Sequence, residues 1–223
     1  MFAKHTVLAA AALLAAASAN AQVGATADVG TTGVGFHVVV PMETYLNGRF
    51  GANYFKHNFS KTSGQVDYDI KGKLQTFDVL FDWYLNEGSN FHLTGGLVYN
   101  GNKFNAKARP NGAGAYAING NLYSAADVGL LTGRIDYRKA APYAGIGWGN
   151  ALAPNSRWTS NIDLGVFYQG NPNVQLASIG CTTSQTVCKA LASDVAVERQ
   201  LLRDDMNSTK LYPVVRVSIG YKF

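Results

Sequence analysis

Four aspartates, two arginines and two histidines carry most of the chemistry this sequence offers: Asp28, His37, Arg49, Asp78, Asp82, His92, Asp163 and Arg216. Each lies in a stretch where side-chain character alternates, on the parity opposite the main apolar series. Asp78 and Asp82 stand with Thr76, Leu80 and Tyr84, facing away from Phe77, Val79, Phe81, Trp83 and Leu85. Period two means a strand with two unlike faces. If the polar face points inward, an unpaired charge there is very costly, so Arg49 and Arg216 would pair with the aspartates and the histidines would be hydrogen-bonded. The functional counter-reading is an interior lined with excess carboxylate, since four Asp face two Arg, which would favour cationic solutes.

Catalysis fits less well. His37 or His92 beside Asp78 or Asp82 is an acid–base pair in type, but the sequence has no G-x-S-x-G and nothing places a His, Ser and Asp together. The histidines also lack metal-ligand spacing. No catalytic residue, metal or cofactor is assigned, and the chain is read as a non-enzyme.

The elements that must position these residues are strands. From Gln22 onward, alternation runs through 22–29, 34–40, 46–55, 76–85, 91–100, 134–149, 158–168 and 211–223, which makes eight strands. Around Arg134 to Lys139 charges fall on both faces, so that part would project beyond any lipid. Of the seven connections, three, near 42–45, 86–90 and 150–157, are short; three, near 58–67, 104–131 and 170–210, are long; the first, at Gly30-Thr31-Thr32-Gly33, is short as well and departs from the contrast. Short turns at one end and long loops at the other, with an even strand count, are the pattern of an outer-membrane barrel. Charged residues make up only 15% of the chain while mean hydropathy is −0.04, which argues against a bundle of membrane helices and for strands alternating lipid-facing and interior residues.

The expected fold is therefore all-β: an eight-stranded, antiparallel, up-and-down transmembrane barrel. Its last strand, LYPVVRVSIGYKF, runs to the final residue because it must pair with the first strand, since an open edge in lipid would leave backbone groups unpaired. Trp83, Trp148 and Trp158 are expected to face lipid or an aromatic girdle, with Tyr221 and Phe223 at the periplasmic interface. Both mature termini would be periplasmic.

Residues 1–21 read as a secretory signal: Lys4 and His5, an apolar run Val7–Ala17, then Ser18-Ala19-Asn20-Ala21 as a cleavage pattern. Residues 22–223 are the barrel domain. Export into an oxidising space makes a local disulfide between Cys181 and Cys188 the expected use of the two cysteines. The formal charge of +5, reduced to +4 when Lys4 leaves, is too mild and scattered for nucleic acid. In the long loops, a small hairpin is expected around Asn119-Gly120, with Tyr116 and Tyr123 packing the loop down. Leu191, Val195, Glu198 and Leu202 have helical spacing, so 189–206 reads as a short amphipathic helix with Asp194 capping a turn, disorder being the alternative.

Three blocks carry a resemblance. They are Asp28-Val29-Gly30-Thr31-Thr32-Gly33, then Ala141-Pro142-Tyr143-Ala144-Gly145-Ile146-Gly147, then the run from Asp163 to Val174, DLGVFYQGNPNV. In this order and spacing they resemble the carbapenem-resistance-associated outer-membrane proteins, across nearly the whole mature chain; the ending IGYKF is similar in kind. The resemblance implies an eight-stranded barrel acting as an uptake channel for small solutes, basic amino acids such as ornithine among them, and influencing carbapenem permeation. The functional expectation is passive admission of small, cationic solutes by a monomer set in outer-membrane lipid and lipopolysaccharide. Its aromatic end at Phe223 resembles the signal read by the barrel assembly machinery. The alternative is a non-transporting surface barrel with a structural, adhesive or host-facing role through its outer loops.

Overall fold

The computed structural model describes residues 22–63 and 66–223, so the expected signal segment lies outside the described residues. The order is β1 (Gly24–Gly30), β2 (Gly33–Glu43), β3 (Leu46–Ser63), β4 (Val66–Tyr84), β5 (Phe91–Asn100), β6 (Lys103–Arg109), β7 (Ala115–Ile118), β8 (Asn121–Ser124), α1 (Ala125–Val128), β9 (Leu130–Asp136), β10 (Ala140–Trp148), β11 (Trp158–Tyr168), β12 (Asn173–Ile179), α2 (Gln185–Asp205), a 3₁₀ turn (Met206–Lys210) and β13 (Leu211–Lys222). All the strand pairings are antiparallel.

Following the pairings from β1 gives β2, β3, β4, β5, β10, β11, β13 and then β1 again, a ring of eight strands. The last strand does meet the first: Gly24 lies opposite Lys222 and Gly30 opposite Arg216. Alternation sorts the two faces. Leu80 and His37 are fully buried on the inner parity, whereas Trp83, Trp148 and Trp158 are 58%, 60% and 67% exposed on the outer one. Val29, Phe36, Phe77, Phe81, Leu97, Leu164 and Ile219 are also exposed. An apolar surface this continuous is far more than a water-soluble monomer tolerates.

Thirteen strands rather than eight are found among the described residues, because the long connections are not loops. The polar stretch after Phe55 keeps its ladder, and β3 pairs with β4 out to Ser63 and Val66. Strand pairing needs no apolar face where both faces meet water; there Arg109 donates to Ser60 and Asp69 at 2.7 and 2.6 Å. The strand expected over 134–149 is split. β9 leaves the ring to pair with β6 and β12, while β10 stays in it. The break is fixed by Arg138 N–H donating to Gln169 O at 3.2 Å and Asn100 N–H to Lys139 O at 2.7 Å. The result is an outer sheet, β12-β9-β6-β4, continuous with the ring at the end opposite the chain termini.

The hairpin at Asn119-Gly120 is present as β7–β8, and both turn residues have positive φ, 49° and 80°, the requirement of a two-residue turn of this twist. The helix is longer than the expected 189–206. It starts at Gln185 because Ser184 Oγ accepts from Val187 N–H, and the Cys181–Cys188 disulfide ties its first turn to the preceding loop. Asp194 is not a cap; it lies mid-helix and accepts from Asn119, Asn121 and Tyr123 of the hairpin at 3.0, 2.8 and 2.5 Å. Tyr116, Tyr123, Leu131, Leu176, Leu191 and Val195 form the apolar core of this outer part.

Candidate functional site

All eight residues singled out from the sequence are buried and gather into two groups of like composition, each one Arg, two Asp and one His. In the first, His37 on β2 places Nδ1 2.7 Å from Asp28 Oδ2 on β1 and Nε2 2.8 Å from Asp78 Oδ1 on β4. Arg216 on β13 donates from Nη2 to Asp78 Oδ2 at 3.1 Å, and its Nε lies 3.4 Å from Asp28 Oδ1. In the second, Arg49 on β3 grips Asp163 on β11 with two bonds, at 2.8 and 3.2 Å, and donates to Asp82 on β4 at 3.1 Å. His92 Nε2 on β5 lies 3.2 Å from Asp163 Oδ1.

The ring order gives these pairs their meaning. β3 and β11 are four pairings apart whichever way the ring is followed, and so are β13 and β4. Arg49–Asp163 and Arg216–Asp78 therefore span the interior from wall to opposite wall. Forked guanidinium–carboxylate bonds suit such a reach, since they are directional and charge-assisted. Room for the crossing comes from glycine. A Cβ on Gly51 would collide with the His37 ring, and one on Gly147 with His92 and Asp163.

Sequence reading missed several partners. Asn53 accepts from Arg216 and Thr32 at 3.1 and 2.9 Å, and Thr94 donates to Asp82 at 2.8 Å. Lys222, also buried, donates to Ala153 O and Pro154 O at 2.5 and 3.1 Å, anchoring the turn beneath. Asn53, Thr94 and Lys222 lie on the polar parity of their strands, which was the available signal.

Next to the charged groups lies an apolar layer of Leu80, Val98, Ala141, Tyr143, Phe167 and Val214. Tyr212 stacks on Phe167, centroids 4.8 Å apart, and covers it. Tyr212 also lines a cavity of about 670 Å³ in the outer part. The walls of that cavity include Ile70, Phe104, Ile135 and Leu176 from the outer sheet, and Glu198 and Leu202 face it from α2. Gln169 belongs to the same lining; it accepts from Asn100 at 3.1 Å and donates to Thr209 O at 2.6 Å. The volume is that of a small-molecule site, mostly apolar with a few polar groups. Chain segments far apart in sequence build it, so nothing in the sequence announced it.

Two solved structures from Acinetobacter baumannii are similar to this one. CarO2 matches with TM-score 0.57 and 22% identity over 92% of this chain and 100% of that one. CarO matches with TM-score 0.55 and 23% identity over 90% of this chain and 97% of that one. This chain has the CarO fold. At such identity the likeness speaks for the fold, the same fold implied by the blocks at Asp28, Ala141 and Asp163. No protein-family model and no curated protein matches the chain.

Proposed function

We propose that this chain is a carbapenem-resistance-associated outer-membrane protein: an eight-stranded transmembrane barrel with both mature termini in the periplasm, admitting small solutes, cationic ones among them. It sits as a monomer in outer-membrane lipid and lipopolysaccharide, delivered there by the assembly machinery that reads its Phe223 end. The outer cavity is the observation that carries the reading. It is sized for a small solute and ends on the Phe167–Tyr212 stack, which separates it from an interior holding four carboxylates. A solute would pass only when that stack and the crossing pairs part. No catalytic step is proposed: both ring nitrogens of His37 and of His92 already have partners within the interior.

A second reading has its own observation. Two arginines bridging opposite walls close the interior, as expected where eight strands leave just enough room for side chains. On this reading the barrel does not transport and its outer sheet and helix are the working surface. Swelling of liposomes loaded with the purified protein, in lysine or ornithine, separates the two. Transport predicts swelling above protein-free liposomes, faster in Tyr212→Ala, which opens the floor of the cavity and leaves the ion pairs in place. No swelling by either protein would refute transport and leave the surface role.

A further inference from the structure

The outer face of the long β3–β4 hairpin carries a row of like charges. Lys56 on β3 is the register partner of Lys73 on β4, and Lys73 is in turn the partner of Lys103 on β6. Like charges directly opposite on a sheet repel, so this row costs stability unless something anionic meets it. The acids on the same face are engaged elsewhere. Asp136, opposite Lys103, accepts from Arg134 and Asn173, and Asp69 pairs with Arg109. Among the described residues, none of the three lysines makes an ion pair. Instead, the Lys56 and Lys73 ammonium groups converge on one ring, each 5.6 Å from the Tyr54 centroid.

Position decides what the anion is. The row lies on the lipid-side parity, two residues beyond Tyr54 on β3 and four before Phe77 on β4, where Phe77 is opposite Tyr99. At about 3.3 Å per residue, the backbone of the row stands roughly 7 Å along the strand past Tyr54 and 13 Å past the Phe77–Tyr99 pair, with the Lys56 and Lys73 ammonium groups reaching back over the Tyr54 ring. Aromatic girdles mark the boundary of the hydrocarbon, and headgroups begin just beyond them. Below the row the face is apolar and exposed, with Phe77 at 50% and Tyr99 at 50%. A free anion would use the charges and nothing else. A phosphorylated lipid uses both the charges and the face beneath them.

We propose that Lys56, Lys73 and Lys103 bind the phosphorylated headgroup of an outer-leaflet glycolipid, whose acyl chains lie against the Phe77–Tyr99 face. The proposal rests on the membrane reading above. Its test uses the full mature chain in detergent micelles, with lipid A carrying both phosphates, lipid A stripped of them, and inorganic phosphate as probes. Native mass spectrometry would show the phosphorylated lipid retained about tenfold or more over the stripped one. Replacing all three lysines, K56Q/K73Q/K103Q, would abolish that preference while binding of the stripped lipid is unchanged. Equal retention of the two lipids by the unaltered chain, or a preference surviving the triple replacement, would overturn it. So would displacement of the lipid by millimolar inorganic phosphate, which would mark a free-anion site. A chain that stays monodisperse without detergent and binds neither lipid would refute the barrel reading itself, a result distinguishable from the others.

Discussion

Arg49 on β3 donates to both carboxylate oxygens of Asp163 on β11, at 2.8 and 3.2 Å, across the full width of the ring. A bond of this reach ties two walls that share no backbone ladder. It also sets the charge balance of its group. Arg49 is the cation held against both Asp82 and Asp163; without it, two buried carboxylates are left with one imidazole.

Arg49→Met should therefore destabilise the folded barrel strongly, by about 3–5 kcal/mol, the usual cost of stranding a buried charge. Adding Asp163→Leu should recover part of that loss, because it removes the carboxylate that Arg49 held with two bonds and leaves one stranded acid instead of two. Urea unfolding in micelles, followed by tryptophan fluorescence, measures both variants. A double variant worse than Arg49→Met alone would show that stranded carboxylate charge is not what the loss of Arg49 costs.

The glycines beside the crossing groups make a second prediction. Gly51→Ala pushes a methyl into the His37 ring, and Gly147→Ala pushes one toward His92 and Asp163. Overpacking of this kind costs roughly 1–3 kcal/mol. Gly95 is the control: a Cβ there meets nothing within 4 Å, so Gly95→Ala should stay within about 0.5 kcal/mol of the unaltered chain. The same urea titration reads all three, and a costly Gly95→Ala would show that strand propensity, not the seating of His37 and His92, governs these positions.

Docking of the β7–β8 hairpin on α2 should depend on pH at both extremes. Hydrogen bonds from Tyr123, Asn119 and Asn121 hold the Asp194 carboxyl below its ordinary value. Its share of the docking is thus complete above the ordinary carboxylate range and lost as pH falls through the depressed value. Burial and the Asp194 carboxylate raise Tyr123 from 10.0 to about 12, so the phenol's share is present below 10.0 and fades as pH climbs to about 12. Asp194→Asn should bring one tyrosine of the ultraviolet titration back toward 10.0 and speed amide exchange over 115–124. An unchanged titration would mean the Tyr123–Asp194 bond does not persist in solution.

The ring was legible because burial on one face writes itself into period two. The stretches at Phe77–Leu85 and Trp158–Tyr168 keep their large apolar residues on one parity, with Leu80, Tyr84 and Phe167 the apolar residues on the other, and the eight charged residues fall on the inner parity of their strands. Which of them pair was not legible, because Arg49 and Asp163 meet through ring closure, not through sequence neighbourhood. The outer sheet was missed for the opposite reason. β6 and β12 read as loops, since Lys103–Arg109 mixes charged and small residues, and the alternation of Val174 and Leu176 against Asn173 and Gln175 is too short to stand out in a long connection. Asp194 looked like a cap because Asp is a good cap; its hairpin partners lie some 71 to 75 residues away.

The chain's end supplies the last prediction, one that separates a contact from a signal. Phe223 N–H donates to Val23 O at 2.9 Å, and its ring meets Tyr221 edge-on at 5.2 Å, as Trp158 meets Tyr221 at 5.1 Å. The backbone bond survives any side-chain change, and the Phe223 ring is 72% exposed. Phe223→Ala therefore removes one surface ring contact, worth about 0.5–1.5 kcal/mol. If the ring is also what the assembly machinery reads, the amount of folded protein in the membrane should fall severalfold. Unfolding in micelles would shift only by that small energy, and spontaneous refolding into micelles would proceed normally. Equal, small losses in cells and in micelles would reduce Phe223 to an interfacial anchor and remove its proposed role in delivery.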